Sequence, residues 1–134
     1  SASIPLAVGP NAIPVVVTAQ NGTSQTYTVT VNRAALGGNN DLSALSVSAG
    51  ALVPAFAAGT TAYDVTAPNA TVTTTITATV ADSTATLTIN GVGAISGSPS
   101  ASIPLAVGAN AIPVVVIAQN GTPKTYTVTI TVAP

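Results

Sequence analysis

SASIPLAVGPNAIPVVVTAQNGTSQTYTVTV, residues Ser1–Val31, returns as SASIPLAVGANAIPVVVIAQNGTPKTYTVTI over Ser100–Ile130, shifted by 99 residues without a gap. Of the 31 pairs 26 are identical, and the five that differ are Pro10/Ala109, Thr18/Ile117, Ser24/Pro123, Gln25/Lys124 and Val31/Ile130. Self-similarity at a fixed period marks modules strung in series. Inside the repeated stretch Tyr126, Val128 and Ile130 alternate with Thr125, Thr127 and Thr129. A period of two is the pattern of a half-buried strand, with one face toward a core.

The same alternation runs outward through the rest of the chain. Val72, Thr74, Ile76, Ala78 and Val80 alternate with Thr71, Thr73, Thr75, Thr77 and Thr79, and Ala85, Leu87 and Ile89 with Thr84, Thr86 and Thr88. β-Branched residues suit a pleated surface. Asn21-Gly22, Asn90-Gly91 and Asn120-Gly121 supply turns, because both residues tolerate positive φ and close tight hairpins. No segment reads as a helix.

Strands are predicted at Ala2–Val8, Ala12–Gln20 and Gln25–Arg33, followed by a break at Ala34–Asn40 that contains Gly37-Gly38-Asn39-Asn40. A new module begins at Asp41, with strands at Leu42–Ser48, Ala62–Thr66, Val72–Val80, Ala85–Ile89, Ala101–Val107, Ala111–Gln119 and Lys124–Val132. Seven short strands separated by turn residues fit an immunoglobulin-like sandwich. Pro14 and Pro113 fall inside strands and cannot donate to a ladder, which predicts an edge position or a bulge there. The expected architecture is all-β: an immunoglobulin-like antiparallel β-sandwich in tandem repeat, with a partial module (1–33), a linker (34–40) and a complete module (41–134).

Leu42-Ser-Ala-Leu45-Ser-Val-Ser-Ala-Gly50-Ala-Leu52-Val-Pro54-Ala-Phe56, then Tyr63, then Gly108-Ala-Asn110-Ala-Ile112-Pro-Val114-Val-Val116, and finally Tyr126-Thr-Val128 together resemble the bacterial cadherin-like β-sandwich domain. Residues 1–33 resemble the last three strands of a preceding copy, with Arg33 where that family often ends its final strand; the second copy has Val132 there. The resemblance implies a non-enzymatic repeat of large secreted or cell-surface proteins, serving as spacer or stalk. The calcium-binding residues of cadherins are missing. Asp41, Asp64 and Asp82 are single carboxylates far apart in sequence, whereas a calcium cage needs several converging oxygens. Asn39-Asn40-Asp41 is the one candidate for a structural cation, and no metal or cofactor is expected.

Composition excludes several functions. The 134 residues are 47% hydrophobic but only 4% charged. Arg33 and Lys124 are the only cations; nucleic acid, which demands clustered Lys and Arg, is excluded as a partner, and so is an anionic membrane surface. No run of about twenty apolar residues could span a membrane as a helix. His, Cys and Glu are absent, leaving three Asp, one Lys and three Tyr as potential catalytic groups, so no enzyme is expected. Asp64 and Asp82 read as solvated carboxylates, and Tyr27, Tyr63 and Tyr126 as core aromatics. Freedom from Cys, Met, Trp and His suits a bacterial extracellular protein built from small, oxidation-resistant residues, and no signal peptide is visible.

The repeat count poses a problem of stoichiometry. The terminal strands occur twice, the preceding ones (Leu42 to Ile89) once. Ile4, Leu6, Ile13, Val15, Val17, Tyr27, Val29 and Val31 would then face water, at about 1.5–3 kcal/mol for each large side chain. Either residues 1–134 are a window on a longer array, or another copy covers this half; both make a filament, stalk or surface layer of further copies of the chain. Gly37, Gly38, Asn39, Asn40 and Asp41 would set the angle between modules. A stalk or ligand-binding repeat of a surface adhesin is the alternative.

Thr71, Thr73, Thr75, Thr77 and Thr79 beside Thr84, Thr86 and Thr88 form a second candidate, an exposed threonine face of the kind seen in ice-binding proteins. Threonine's strand preference is the simpler explanation. Glycan modification is a further expectation, since Asn21-Gly-Thr23, Asn69-Ala-Thr71 and Asn120-Gly-Thr122 fit the N-linked pattern and Asp82-Ser83-Thr84 resembles a bacterial O-linked acceptor.

Overall fold

A computed structural model describes residues 1–134, which divide into two compact units, Ser1–Leu36 and Gly37–Pro134. Every regular element is a strand.

The first unit is a hairpin of β1 (Gly9–Thr18) and β2 (Ser24–Arg33), paired from Gly9↔Arg33 to Thr18↔Ser24. Its loop contains the Asn21-Gly22 pair that the sequence marks as a turn. Gly22 N–H donates to Ala19 O at 2.9 Å, and Ala19 N–H to Thr23 O at 2.8 Å. Only Gly22 has positive φ (88°), which makes this a three-residue loop closed by a glycine bulge. Asn21 contributes through its side chain, whose Oδ1 accepts from Thr23 N–H and Oγ1–H.

The strand predicted at Ala2–Val8 does not form. No neighbouring strand lies beside it in this unit, so side chains take up its backbone groups. Asn11 Oδ1 accepts from Ala7 N–H and Asn11 Nδ2 donates to Ala7 O, both at 2.8 Å, while Arg33 Nη1 donates to Leu6 O at 2.7 Å.

The second unit is a β-sandwich of nine strands: β3 (Leu42–Val47), β4 (Ala62–Ala67), β5 (Thr73–Thr74), β6 (Ile76–Val80), β7 (Thr86–Ile89), β8 (Val92–Ala94), β9 (Ile103–Pro104), β10 (Gly108–Ile117) and β11 (Pro123–Val132). One sheet has the order β4-β11-β10-β7-β8. The other layer contains β3-β6, with a short β5-β9 pair. Segment 95–100 lines the free side of β6, since Gly97 N–H donates to Ala78 O and Ser100 N–H to Ile76 O, each at 2.9 Å. β4 runs parallel to β11, from Thr127↔Ala62 to Val132↔Ala67. The remaining strand pairs are antiparallel.

The predicted strand Val72–Val80 is split at Thr75. Thr75 N–H donates to Ser48 Oγ at 2.8 Å and Ser48 N–H to Thr75 O at 3.0 Å, so side-chain pairing interrupts the ladder there. Before the break β5 pairs with β9; after it β6 pairs with β3. Ala101–Val107 likewise contracts to the two residues of β9. β8 falls where the sequence predicts no strand. It forms because Asn90 (φ 53°) and Gly91 (φ 77°) close a two-residue turn between paired Ile89 and Val92.

Pro113 sits in an inner strand, yet the ladder with β7 covers only Val114–Ile117. Pro113 O accepts from Asn90 N–H at 2.9 Å, so the proline nitrogen, on the same side of the strand, points past the end of that ladder. The strand is inner, but the position is a local edge.

The core lies between the layers. Leu42, Ile76 and Ala78 meet Ile112, Val114, Val116, Tyr126, Val128 and Ile130, all buried. The alternation sends Ile112, Val114 and Val116 of β10 and Tyr126, Val128 and Ile130 of β11 to the interior; the outward positions are threonines on β11 and Ala111, Pro113, Val115 and Ile117 on β10.

Candidate functional site

The two copies of the repeated hairpin share one backbone pairing. Ile13↔Val29 and Ile112↔Val128 are the same pair 99 residues apart, and so is every other position of the two ladders. The Gly-x-Asn turn is duplicated with its contacts. Asn110 accepts from Ala106 N–H and donates to Ala106, Gly108 and Ile130 carbonyls, as Asn11 does with Ala7, Gly9 and Val31.

Their surroundings are opposite. Val114, Val128 and Tyr126 are 0% exposed, whereas Val15, Val29 and Tyr27 are 48%, 51% and 54% exposed. Ile4 and Val17 are also exposed, while Leu6, Ile13 and Val31 are half-buried. On the paired strands one face thus carries Ile13, Val15, Val17, Tyr27, Val29 and Val31, with Ile4 and Leu6 on the irregular segment before β1. Sequence periodicity missed Val16, exposed on the other face of β1, and Val8, exposed just before that strand. It also missed Val92 and Ile95, exposed on and beside the edge strand β8.

Tyr126 shows how the buried copy is locked. Its hydroxyl accepts from the buried Leu42 N–H and donates to Ala58 O, both at 3.1 Å. Beside it Lys124 Nζ donates to Asp41 Oδ1 at 2.6 Å and to Ala58 O at 3.2 Å, and lies 5.2 Å from the Tyr126 ring centroid. The hydrogen bond to Asp41 is the main reason that the Lys124 ammonium is held above its ordinary pKa. The first hairpin has Gln25 at the position of Lys124.

A profile of the cadherin-like beta sandwich domain matches residues 1–34 and again residues 42–133. The chain belongs to the cadherin-like beta sandwich family. The first match falls on the hairpin unit of this cadherin-like chain and the second on its complete sandwich. The fold is of a structural, adhesion-type repeat. No curated protein matches the sequence.

The segment Gly37–Asp41, expected to be the junction where a linker spanning 34–40 meets the complete module, is docked on the cadherin-like sandwich. Gly37 N–H donates to Gln119 Oε1 and Asn120 N–H to Gly37 O, each at 3.0 Å. A Cβ at Gly38 would lie 2.9 Å from Asn120 Nδ2, so only glycine fits this approach without a shift. Asn39 Oδ1 accepts from Asp41 N–H, and Asn40 Nδ2 donates to Thr122 O. These side chains brace a loop. Asn39 Oδ1 and Asp41 Oδ1 each accept a hydrogen bond from the protein itself. No group of three or more acidic, His or Cys side chains is arranged to hold a metal.

The threonine set does not form one exposed face. Thr77 and Thr79 belong to β6 in one layer, Thr86 and Thr88 to β7 in the other. Thr71, Thr75, Thr77, Thr79 and Thr88 are half-buried, leaving Thr73, Thr84 and Thr86 exposed. The Asp82–Thr84 turn carries the chain between the layers, with Asp82 Oδ1 accepting from Thr84 N–H and Oγ1–H. Those bonds hold the Asp82 carboxyl below its ordinary pKa.

Proposed function

We propose that this chain is a structural repeat of an extracellular filament, stalk or surface layer, joined end to end with further copies through the apolar face of its first hairpin. One observation carries this reading: the residues buried in the second hairpin are exposed in the first, at the same register. The complete sandwich supplies the template for a partner, a layer of short strands presenting residues like Leu42, Leu45, Ile76 and Ala78.

Magnitudes define what such a joint requires. Half-exposed valines and a tyrosine gain about 1 kcal/mol each on full burial. Val15, Val17, Tyr27 and Val29 together supply on the order of 4 kcal/mol, no more than the bottom of the roughly 4–15 kcal/mol that association costs. The face alone therefore makes a weak joint, and a stable filament needs backbone pairing along the hairpin edges or covalent continuity of repeats. Few charges leave little repulsion against lateral packing. The chemical inventory offers no His, Cys or Glu for catalysis, and the work of the protein is mechanical.

Electron microscopy with sedimentation across a concentration series tests the proposal. Assemblies with a constant axial repeat are expected. Isolated particles at every concentration would refute it.

A further inference from the structure

The first hairpin is a near-duplicate of one that already has a seat. We propose that β1–β2 of one copy takes the place of β10–β11 in the sandwich of a second copy, an exchange of equivalent hairpins that links chains. This rests on the assembly reading above and names its occupant: the core presented by β3, β4, β6 and β7 of a second copy. The interface is already established, because β11 pairs with β4 and β10 with β7 in the sandwich.

The incoming hairpin needs no rearrangement. Its register, its three-residue loop and its Asn11 pin all repeat those of the resident hairpin. Three of the five sequence differences fall where the resident residue is exposed: Ala109, Ile117 and Pro123. Pro10 costs no ladder bond at the position of Ala109, which shares the strand parity of Pro113 and points its nitrogen away from β11. Only Val31 for Ile130 alters the core, by one methylene. Gln25 for Lys124 forfeits the ion pair to Asp41. The resident hairpin keeps those two advantages and its covalent tether, so exchange occurs chiefly when chains refold together at high concentration.

The chain has no cysteine, which permits a direct test. Asp64 on β4 pairs with Thr129 on β11, and Thr30 is the equivalent of Thr129 on β2. Full-length Asp64→Cys and Thr30→Cys chains are refolded together under oxidising conditions, and linked peptides are identified by mass spectrometry. An interchain disulfide joining positions 64 and 30 is expected. Its yield should rise several-fold when Val128→Asp weakens the resident hairpin of the Asp64→Cys chain, and it should disappear when the Thr30→Cys chain carries Val29→Asp. The doubly substituted Asp64→Cys/Thr129→Cys chain closes its own disulfide and shows that the geometry permits one. If that control closes and no 64–30 link forms, with or without Val128→Asp, hairpin exchange is wrong. Persistence of assemblies by sedimentation in that case would leave the assembly reading standing without it.

Discussion

Replacing Tyr126 by Phe removes the one oxygen that ties β11 to the start of β3 and to the Ala58 loop, and leaves the ring in place. That oxygen accepts from Leu42 N–H and donates to Ala58 O, each at 3.1 Å. Leu42 is wholly buried, so its N–H cannot turn to water. An unsatisfied buried donor costs about 1–3 kcal/mol, and loss of the ordinary hydrogen bond to Ala58 adds little beyond that range. For a domain of this size each kcal/mol lowers Tm by roughly 4–8 °C. Tyr27→Phe is the matched control, the same substitution 99 residues earlier on an exposed ring, and should change stability by less than about 0.5 kcal/mol. Both variants are measured by thermal and urea unfolding at low concentration, where assembly is minimal. Equal losses in the two variants, or none in Tyr126→Phe, would refute the account of the lock.

Further substitutions probe other parts. Asn110→Asp places a carboxylate against the Ala106, Gly108 and Ile130 carbonyls; the variant should be least stable above the pKa of that carboxyl and recover as pH falls, read from urea midpoints across pH. Lys124→Gln, the first hairpin's own residue, should cost no more than about 1 kcal/mol because the ion pair is partly exposed. The native pair has a raised Lys124 pKa, so its contribution is complete below the ordinary lysine value of 10.5 and is lost as pH rises through the folded-state value. A urea midpoint that fell toward neutral pH would contradict this sign. Ile130→Val should cost about 0.5–1.5 kcal/mol, whereas Val31→Ile in the exposed hairpin should leave sandwich unfolding unchanged.

The hairpins were legible in the sequence because alternation of Val and Ile with Thr is local, and an Asn-Gly pair marks the loop. Burial of Tyr126 and Val128 follows from the same alternation. What that periodicity lacks is the identity of the neighbouring strand. It carries no sign that β6 and β7 belong to different layers, so alternation alone groups threonines on both into one face. The parallel β4–β11 pair joins residues more than sixty positions apart and leaves no local mark. β8 is three residues long and includes Gly93, too short for an alternation. Ser48 interrupts the Val72–Val80 run through a side-chain bond that only the folded chain brings about. Gly37–Asn40 has linker composition, yet the same small polar residues suit a loop packed on the Gln119–Thr122 hairpin end.

Sedimentation velocity of the chain and of its Val29→Lys variant, compared over a concentration series, tests the assembly claim most directly. Val29 is exposed, so the variant's sandwich should unfold as the unmodified chain does. The account predicts that the unmodified chain forms larger species as concentration rises, with little dependence on salt because the chain carries so few charges, and that Val29→Lys remains a monomer. An unmodified chain that stays monomeric throughout, or a variant that associates equally well, would contradict it.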